Sequence, residues 1–228
     1  MSLQHAANSL LSKIPAPDRK PTKAERTRAE ILQAALEFFW SNPFRDLTIG
    51  ALMGATSAGR SAFYQYFEDL YDLAETLLRG LEADILEVAT PWFLGEGDPL
   101  PLLNESLEGL VRVSYERGPI LKAVSDAAVS DERLEKEWSN FLSRFDDAVA
   151  ARIEQQQATG LIAAFDARPV AIALNRMDAS LLIEAFGNRP RSQPQPVLDA
   201  ISRVWTCTLY TDIPSSSNFR IRTRRRKT

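Results

Sequence analysis

The sequence predicts an all-α protein built as two unequal helical units. Three observations lead there. Apolar residues recur at three- and four-residue spacing through most of the chain. No stretch alternates as a half-buried strand would, and Gly- and Pro-bearing segments such as Gly95–Pro99 and Gly118–Pro119 divide the helical pattern. With 45% hydrophobic residues in 228, the chain has material for a substantial core.

Residues 1–21 are polar, and Pro15, Pro17 and Pro21 oppose a continuous helix, so this segment reads as a flexible N-terminal arm. A first helix is expected from about Lys23 to Trp40, with Ile31, Leu32, Ala35, Phe38 and Phe39 on one face and Ser41-Asn42-Pro43 as its stop. Thr48 caps a second helix that turns Ile49, Leu52 and Met53 inward. Ser57 or Gly59 opens a third, ending near Tyr66. Glu68 and Asp69 open a long fourth helix with Leu73, Leu77, Leu81 and Ile85 as its buried stripe, and Pro91 and Gly95–Pro99 interrupt it. A helix from about Leu100 to Glu116 follows; Gly118-Pro119 is expected to break it before a short helix to about Val129. Asp131 caps an amphipathic helix bearing Leu134, Trp138, Phe141, Leu142, Phe145, Val149 and Ile153, and Gly160 stops it. The last two helices span about Pro169–Phe186 and Pro196–Tyr210.

Composition narrows the function. A single cysteine, Cys207, excludes an internal disulfide; its place beside Trp205 and Leu209 suggests packing. No apolar run is long enough to span a bilayer, and the N-terminus lacks signal-peptide features, so a cytoplasmic protein without a membrane partner is expected. The only histidine is His5, and no metal cluster, phosphate loop or nucleophile arrangement stands out; neither enzyme chemistry nor a cofactor is expected. Net charge is −3, yet Arg19, Lys20, Lys23, Arg26 and Arg28 cluster against Glu25 alone, and Arg220–Lys227 is a basic tail. The N-terminal cluster reads as a phosphate footprint or a solvated basic arm, and the C-terminal run as a solvated tail, with nonspecific nucleic-acid attraction as its alternative.

Helices two and three are each too short to be stable alone. In tandem, with small residues at Ala55–Gly59 between them and the aromatic run Phe63-Tyr64-Gln65-Tyr66-Phe67 at the end, they read as a helix-turn-helix presenting one helix to DNA. Arg60 and Gln65 suit base edges, Ser61 and Tyr64 accompany them, and Thr48 and Ile49 offer backbone N–H groups to phosphate.

Residues Ile31-Leu-Gln-Ala-Ala-Leu-Glu-Phe-Phe39, Thr48 and Phe63–Phe67 resemble the N-terminal pattern of TetR-family transcriptional regulators. More loosely, Glu137–Phe141, Ala173–Asp178 and Val204–Tyr210 are similar to the mycobacterial ethionamide-resistance repressor branch. The resemblance implies an arm over residues 1–21, a DNA-binding unit over 22–70, an effector-binding and dimerisation unit over 71–213, and a basic tail over 214–228. It implies a homodimeric repressor on a double-stranded inverted-repeat operator, released by a small, mainly apolar molecule. DNA contacts would come from Lys23, Thr27, Arg28, Thr48, Ile49, Arg60, Ser61, Tyr64, Gln65 and Tyr66. Against the family pattern, Ser57 stands where glycine is usual in the turn, Gly59 stands at the cap, and Leu70 replaces a basic residue. Those departures keep a second reading open, a helical scaffold that no longer binds specific DNA; an all-α enzyme is a third.

In the large unit, Asn175 and Asp178 interrupt an otherwise apolar helix at i and i+3, as polar anchors in an apolar pocket would. With Trp138, Phe141, Phe145, Met177 and Trp205 they form the expected effector site, with Arg176 or Arg144 as alternative partners for Asp178. Surplus apolar residues on the last two helices, Leu181, Leu182, Ala185, Ile201, Val204 and Leu209, mark the expected dimer seam.

Overall fold

The computed structural model describes Lys20 and residues 22–210. Among these it has eight α-helices: α1 (Lys23–Phe39), α2 (Ile49–Gly54), α3 (Arg60–Phe63), α4 (Leu70–Leu94), α5 (Pro99–Ala128), α6 (Glu132–Ala158), α7 (Ala167–Phe186) and α8 (Pro194–Leu209). A single 3-10 turn, Phe44–Asp46, joins α1 to α2. Apart from Lys20, the charges expected of the arm and tail, together with His5, lie outside the described residues.

Side-chain caps start most of these helices. Thr22 and Glu25 form a reciprocal capping box on α1. Thr48 accepts from the Ala51 N–H at α2, and Asp69 accepts from Asp72 at α4. Asp131 accepts from both Arg133 and Leu134 at α6. Gly160 follows the end of α6 with φ +74°, a conformation that favours glycine.

Helix α5 is the axis of the molecule. It packs against α4, α6, α7 and α8, and its C-terminal half also supports α1 and the 3-10 turn. Two apolar clusters result. One joins α1–α3 to the first half of α4 through Ile31, Phe39, Leu52, Phe63, Phe67, Leu73 and Leu77. The other fills the far end with Trp92, Leu103, Ile153, Leu174, Ile201 and Trp205. Each fully buried Leu, Ile or Phe contributes about 1.5–3 kcal/mol, so α1–α3 are held by this packing rather than by their own helicity.

The two expected proline breaks are corrected. Pro91 lies inside α4 and Pro119 inside α5, and both helices run through. Proline removes one i→i−4 hydrogen bond and strains the ladder. At Pro91, the N–H of the next residue, Trp92, donates to Ser106 Oγ of α5 at 3.0 Å. At Pro119 the carbonyl that loses its donor is that of Tyr115, and Arg191 Nη1 donates to it at 2.6 Å. Gly118 allows α5 to touch the end of α7: a Cβ there would collide with the Phe186 carbonyl oxygen. Cys207, expected to pack, faces outward on α8.

Candidate nucleic-acid interface and ligand cavity

The turn between α2 and α3 is built without a left-handed residue. Among the described residues no non-glycine has positive φ, so Ser57 carries no such strain. Glu30 of α1 organises it instead. Its Oε1 accepts from the Ser57 N–H at 2.5 Å and its Oε2 from Ser57 Oγ at 2.8 Å. These two bonds, the backbone one first, hold the Glu30 carboxyl below its usual range. Thr56 Oγ1 adds a bond to the Met53 carbonyl at 3.0 Å. Glu30 was not legible as a partner because it lies 27 residues before the turn.

Gly59 caps α3 without a side chain. Only Arg60–Phe63 is α-helical; single turns continue to Phe67. Phe63 and Phe67 are buried, 0% and 2% exposed, and their rings meet at 5.5 Å. That anchorage turns Tyr64 and Gln65 outward. Arg60, Ser61 and Gln65 are exposed, Tyr64 is 59% exposed, and Tyr66 is half-buried against the core. On neighbouring elements Lys23, Arg28 and Thr48 are exposed, and Thr27 and Ile49 half-buried. Arg28 lies over the Phe67 ring at 5.3 Å, and Thr27 Oγ1 bonds the Lys23 carbonyl at 3.1 Å. Leu70 packs on the core at the start of α4.

In the larger unit, α4, α5, α6, α7 and α8 enclose a cavity of about 90 Å³. Of the expected effector residues, Phe141, Phe145, Asn175, Asp178 and Trp205 line it. Trp138 and Met177 do not: Trp138 stacks on Phe141 at 5.4 Å, and Met177 packs beside the second cluster. The sequence reading missed the α4 and α5 walls, including Ile85, Trp92, Phe93, Leu103, Ser106 and Leu107. Helical spacing marks such residues as inward-facing but does not separate cavity lining from solid core.

The polar atoms around the cavity are mostly committed. Asp146 of α6 is bound by Arg176 at 3.1 and 2.9 Å and by Asn175 Nδ2 at 3.0 Å. Arg144 pairs with Glu82 of α4, Nη2 to Oε2 at 2.6 Å. Neither Arg144 nor Arg176 is therefore the partner of Asp178. Instead Asp178 Oδ2 accepts from the Trp205 indole N–H at 2.9 Å, while its Oδ1 has no partner among the described residues. Burial pushes the Asp178 carboxyl up to about 8, only partly countered by the Trp205 bond. Nearby, Trp92 Nε1 donates to Tyr210 OH at 2.8 Å, and Tyr210 donates to Gln156 at 2.7 Å, fastening the end of α8 to α4 and α6.

The expected dimer residues divide in two. Within the single chain Leu182, Ala185, Ile201 and Leu209 belong to the second core cluster. Leu181 is half-buried and Val204 is 40% exposed. The outward faces of α7 and α8 present Ile172, Ala173, Ser180, Ala200, Val204, Cys207 and Thr208 together with the charged Arg176, Glu184, Asp199 and Arg203.

Among the described residues no helix is long and apolar enough to cross a membrane, and no group of His, Cys, Asp or Glu could hold a metal ion. Residues 103–211 match the family model "Transcriptional regulator EthR, C-terminal domain". No curated protein matches the chain in sequence. Among solved structures, regulatory protein TetR from Rhodobacter sphaeroides is 18% identical, with a TM-score of 0.66 over 80% of this chain and 98% of that one. NalD of Pseudomonas aeruginosa, the secondary repressor of the MexAB-OprM multidrug efflux pump, is 17% identical, with a TM-score of 0.64 over 83% of this chain and 98% of its own. A TetR-family regulator from Agrobacterium tumefaciens is 16% identical, with a TM-score of 0.65 over 82% and 100%. The chain thus has the TetR-family transcriptional-regulator fold, its C-terminal half matching the EthR branch.

Proposed function

We propose that the protein is a ligand-responsive, homodimeric DNA-binding regulator, acting as a repressor that leaves an inverted-repeat operator when a mainly apolar molecule fills its cavity. One observation carries this reading. Helix α4 is both the support of the helix-turn-helix and a wall of the cavity. Its Leu73 and Leu77 lie in the cluster with Phe63 and Phe67, while its Ile85, Ala89, Trp92 and Phe93 line the cavity. A ligand that displaces the far end of α4 therefore acts on the element that positions α3. It shifts the equilibrium only as far as its affinities for the two positions differ.

The outward placement of Arg60, Ser61, Tyr64 and Gln65 supports major-groove reading by α3. Lys23, Arg28 and the N-terminus of α2 at Thr48 and Ile49 suit the backbone on either side. Selection of bound sequences from random duplexes tests the reading. Enrichment of an inverted repeat is expected. Failure to enrich any sequence at low salt overturns it in favour of a helical scaffold without operator recognition.

A further inference from the structure

Asp178 is the anomaly of the cavity. It sits in the middle of α7, is 5% exposed, and lines a space otherwise walled almost entirely by apolar side chains. Among the described residues no Lys, Arg or His lines that space. The remaining polar groups do not answer its free oxygen. Asn175 gives an amide N–H to Asp146, and Asp178 Oδ1 has no bond from its amide group. Ser106 Oγ is engaged by the Trp92 N–H and bonds the Ala89 carbonyl at 3.3 Å. Trp205 N–H is already on Asp178 Oδ2. The cavity thus presents an unpartnered carboxyl oxygen beside aromatic surface, with no basic group lining it from α4, α5, α6 or α8.

A buried carboxyl with an unpartnered oxygen is costly, and the cost is recovered when a donor arrives. A neutral donor recovers part of it. A cation recovers more, because its hydrogen bond to a carboxylate is charge-assisted and roughly twice as strong. The aromatic side chains of Trp92, Trp205, Phe141 and Phe145 that line the space suit the hydrocarbon of such a molecule. We propose that the cavity takes a lipophilic amine, its ammonium group donating to Asp178 Oδ1 and its apolar body lying against Trp92, Phe93, Phe141 and Phe145. This rests on the reading of the cavity as the effector site and adds the ligand's chemical class.

The step balances as a proton exchange. Near pH 7 the empty site holds a protonated Asp178, its carboxyl raised by burial to about 8. As the ammonium enters, the carboxyl releases one proton to solvent, and the carboxylate pairs with the cation. Affinity for the amine therefore rises about tenfold per pH unit below that value and levels off above it.

Calorimetric titration with phenylbutylamine, phenylbutanol and phenylbutyrate on the full-length protein tests this. All three share one apolar body. The amine is expected to bind at least about tenfold tighter than the alcohol near pH 8, and the acid most weakly. Runs near pH 6.5 in buffers of different ionisation enthalpy are expected to show about one proton released per amine bound. Asp178→Asn should reduce the amine's advantage over the alcohol to less than about twofold. Equal or tighter binding of the alcohol by the wild-type chain overturns the proposal while leaving the effector reading intact. Binding of none of the three overturns it as well. Amine-selective binding that leaves operator affinity unchanged supports the site's chemistry and removes the regulatory reading instead.

Discussion

Asp178 gives the protein a stability signature that its own substitution can isolate. Its carboxyl moves from an ordinary value of 3.8 when unfolded to about 8 when folded. The folded state therefore binds the proton more tightly. The associated stability is fully present below about pH 4 and is lost as pH rises through about 8. Urea unfolding of wild type and Asp178→Asn across this range should show the wild type losing roughly 1 kcal/mol per pH unit relative to the variant. Parallel curves would contradict a protonated Asp178. On the proposed DNA face the contrast is between reading and holding. Arg60→Ala and Gln65→Ala should each cost about 1–3 kcal/mol on the selected operator and much less on random duplex. Lys23→Ala should weaken both alike and lower the salt slope by about one. Binding isotherms at several salt concentrations separate the two classes, and equal losses on both duplexes for Gln65→Ala would contradict base reading.

At the scale of elements, the legible features were local ones. Thr48, Asp69 and Asp131 sit as caps where short polar side chains precede apolar periodicity, and Leu73, Leu77, Leu81 and Ile85 are all buried as their spacing requires. The misread features were long-range. Pro91 and Pro119 break helices only when the groups they disturb go unsatisfied, and the compensating Ser106 and Arg191 are distant in sequence. The same holds for Glu30 at Ser57, and for Arg176 and Arg144, which serve Asp146 and Glu82 rather than Asp178. Arg191 yields a test of this account. It bonds the Tyr115 carbonyl, lies 3.7 Å over the Tyr115 ring and 5.0 Å from that of Trp40. Arg189 lies over Trp40 at 4.8 Å and pairs with the exposed Glu37 at 2.7 Å. Arg191→Ala strands a carbonyl within a packed helix and should destabilise by about 1–3 kcal/mol. Arg189→Ala removes a solvent-screened pair and should cost no more than about 1 kcal/mol. Urea midpoints that ranked the two in reverse would show that Pro119 is accommodated by another route.

The whole molecule needs a partner copy for the proposed operator, because two-fold sites are read by two α3 helices. The single chain already encloses Leu182, Ala185, Ile201 and Leu209, so a seam would use the outward faces of α7 and α8. Those faces carry small and branched residues, among them Ile172, Ala173, Ala200 and Val204, interleaved with the charged Arg176, Glu184, Asp199 and Arg203. In sequence, α7 and α8 showed more apolar positions than one face needs, but periodicity cannot say which stripe meets the chain's own core and which a second copy. Cys207 offers a direct measurement. It is the only cysteine of the chain, it is exposed, and it lies one helical turn beyond Val204. Across a two-fold axis near these residues it would face its own equivalent, and a disulfide requires the two Cα atoms within about 7 Å. Sedimentation at micromolar concentration should give twice the chain mass, and Val204→Asp should shift it towards the monomer by placing like charges across the seam. Mild copper-phenanthroline oxidation of the wild type should yield a covalent dimer that Cys207→Ser abolishes. A wild-type protein that sediments as a strict monomer at these concentrations would sink the dimer. A dimer indifferent to Val204→Asp would move its axis away from α7 and α8.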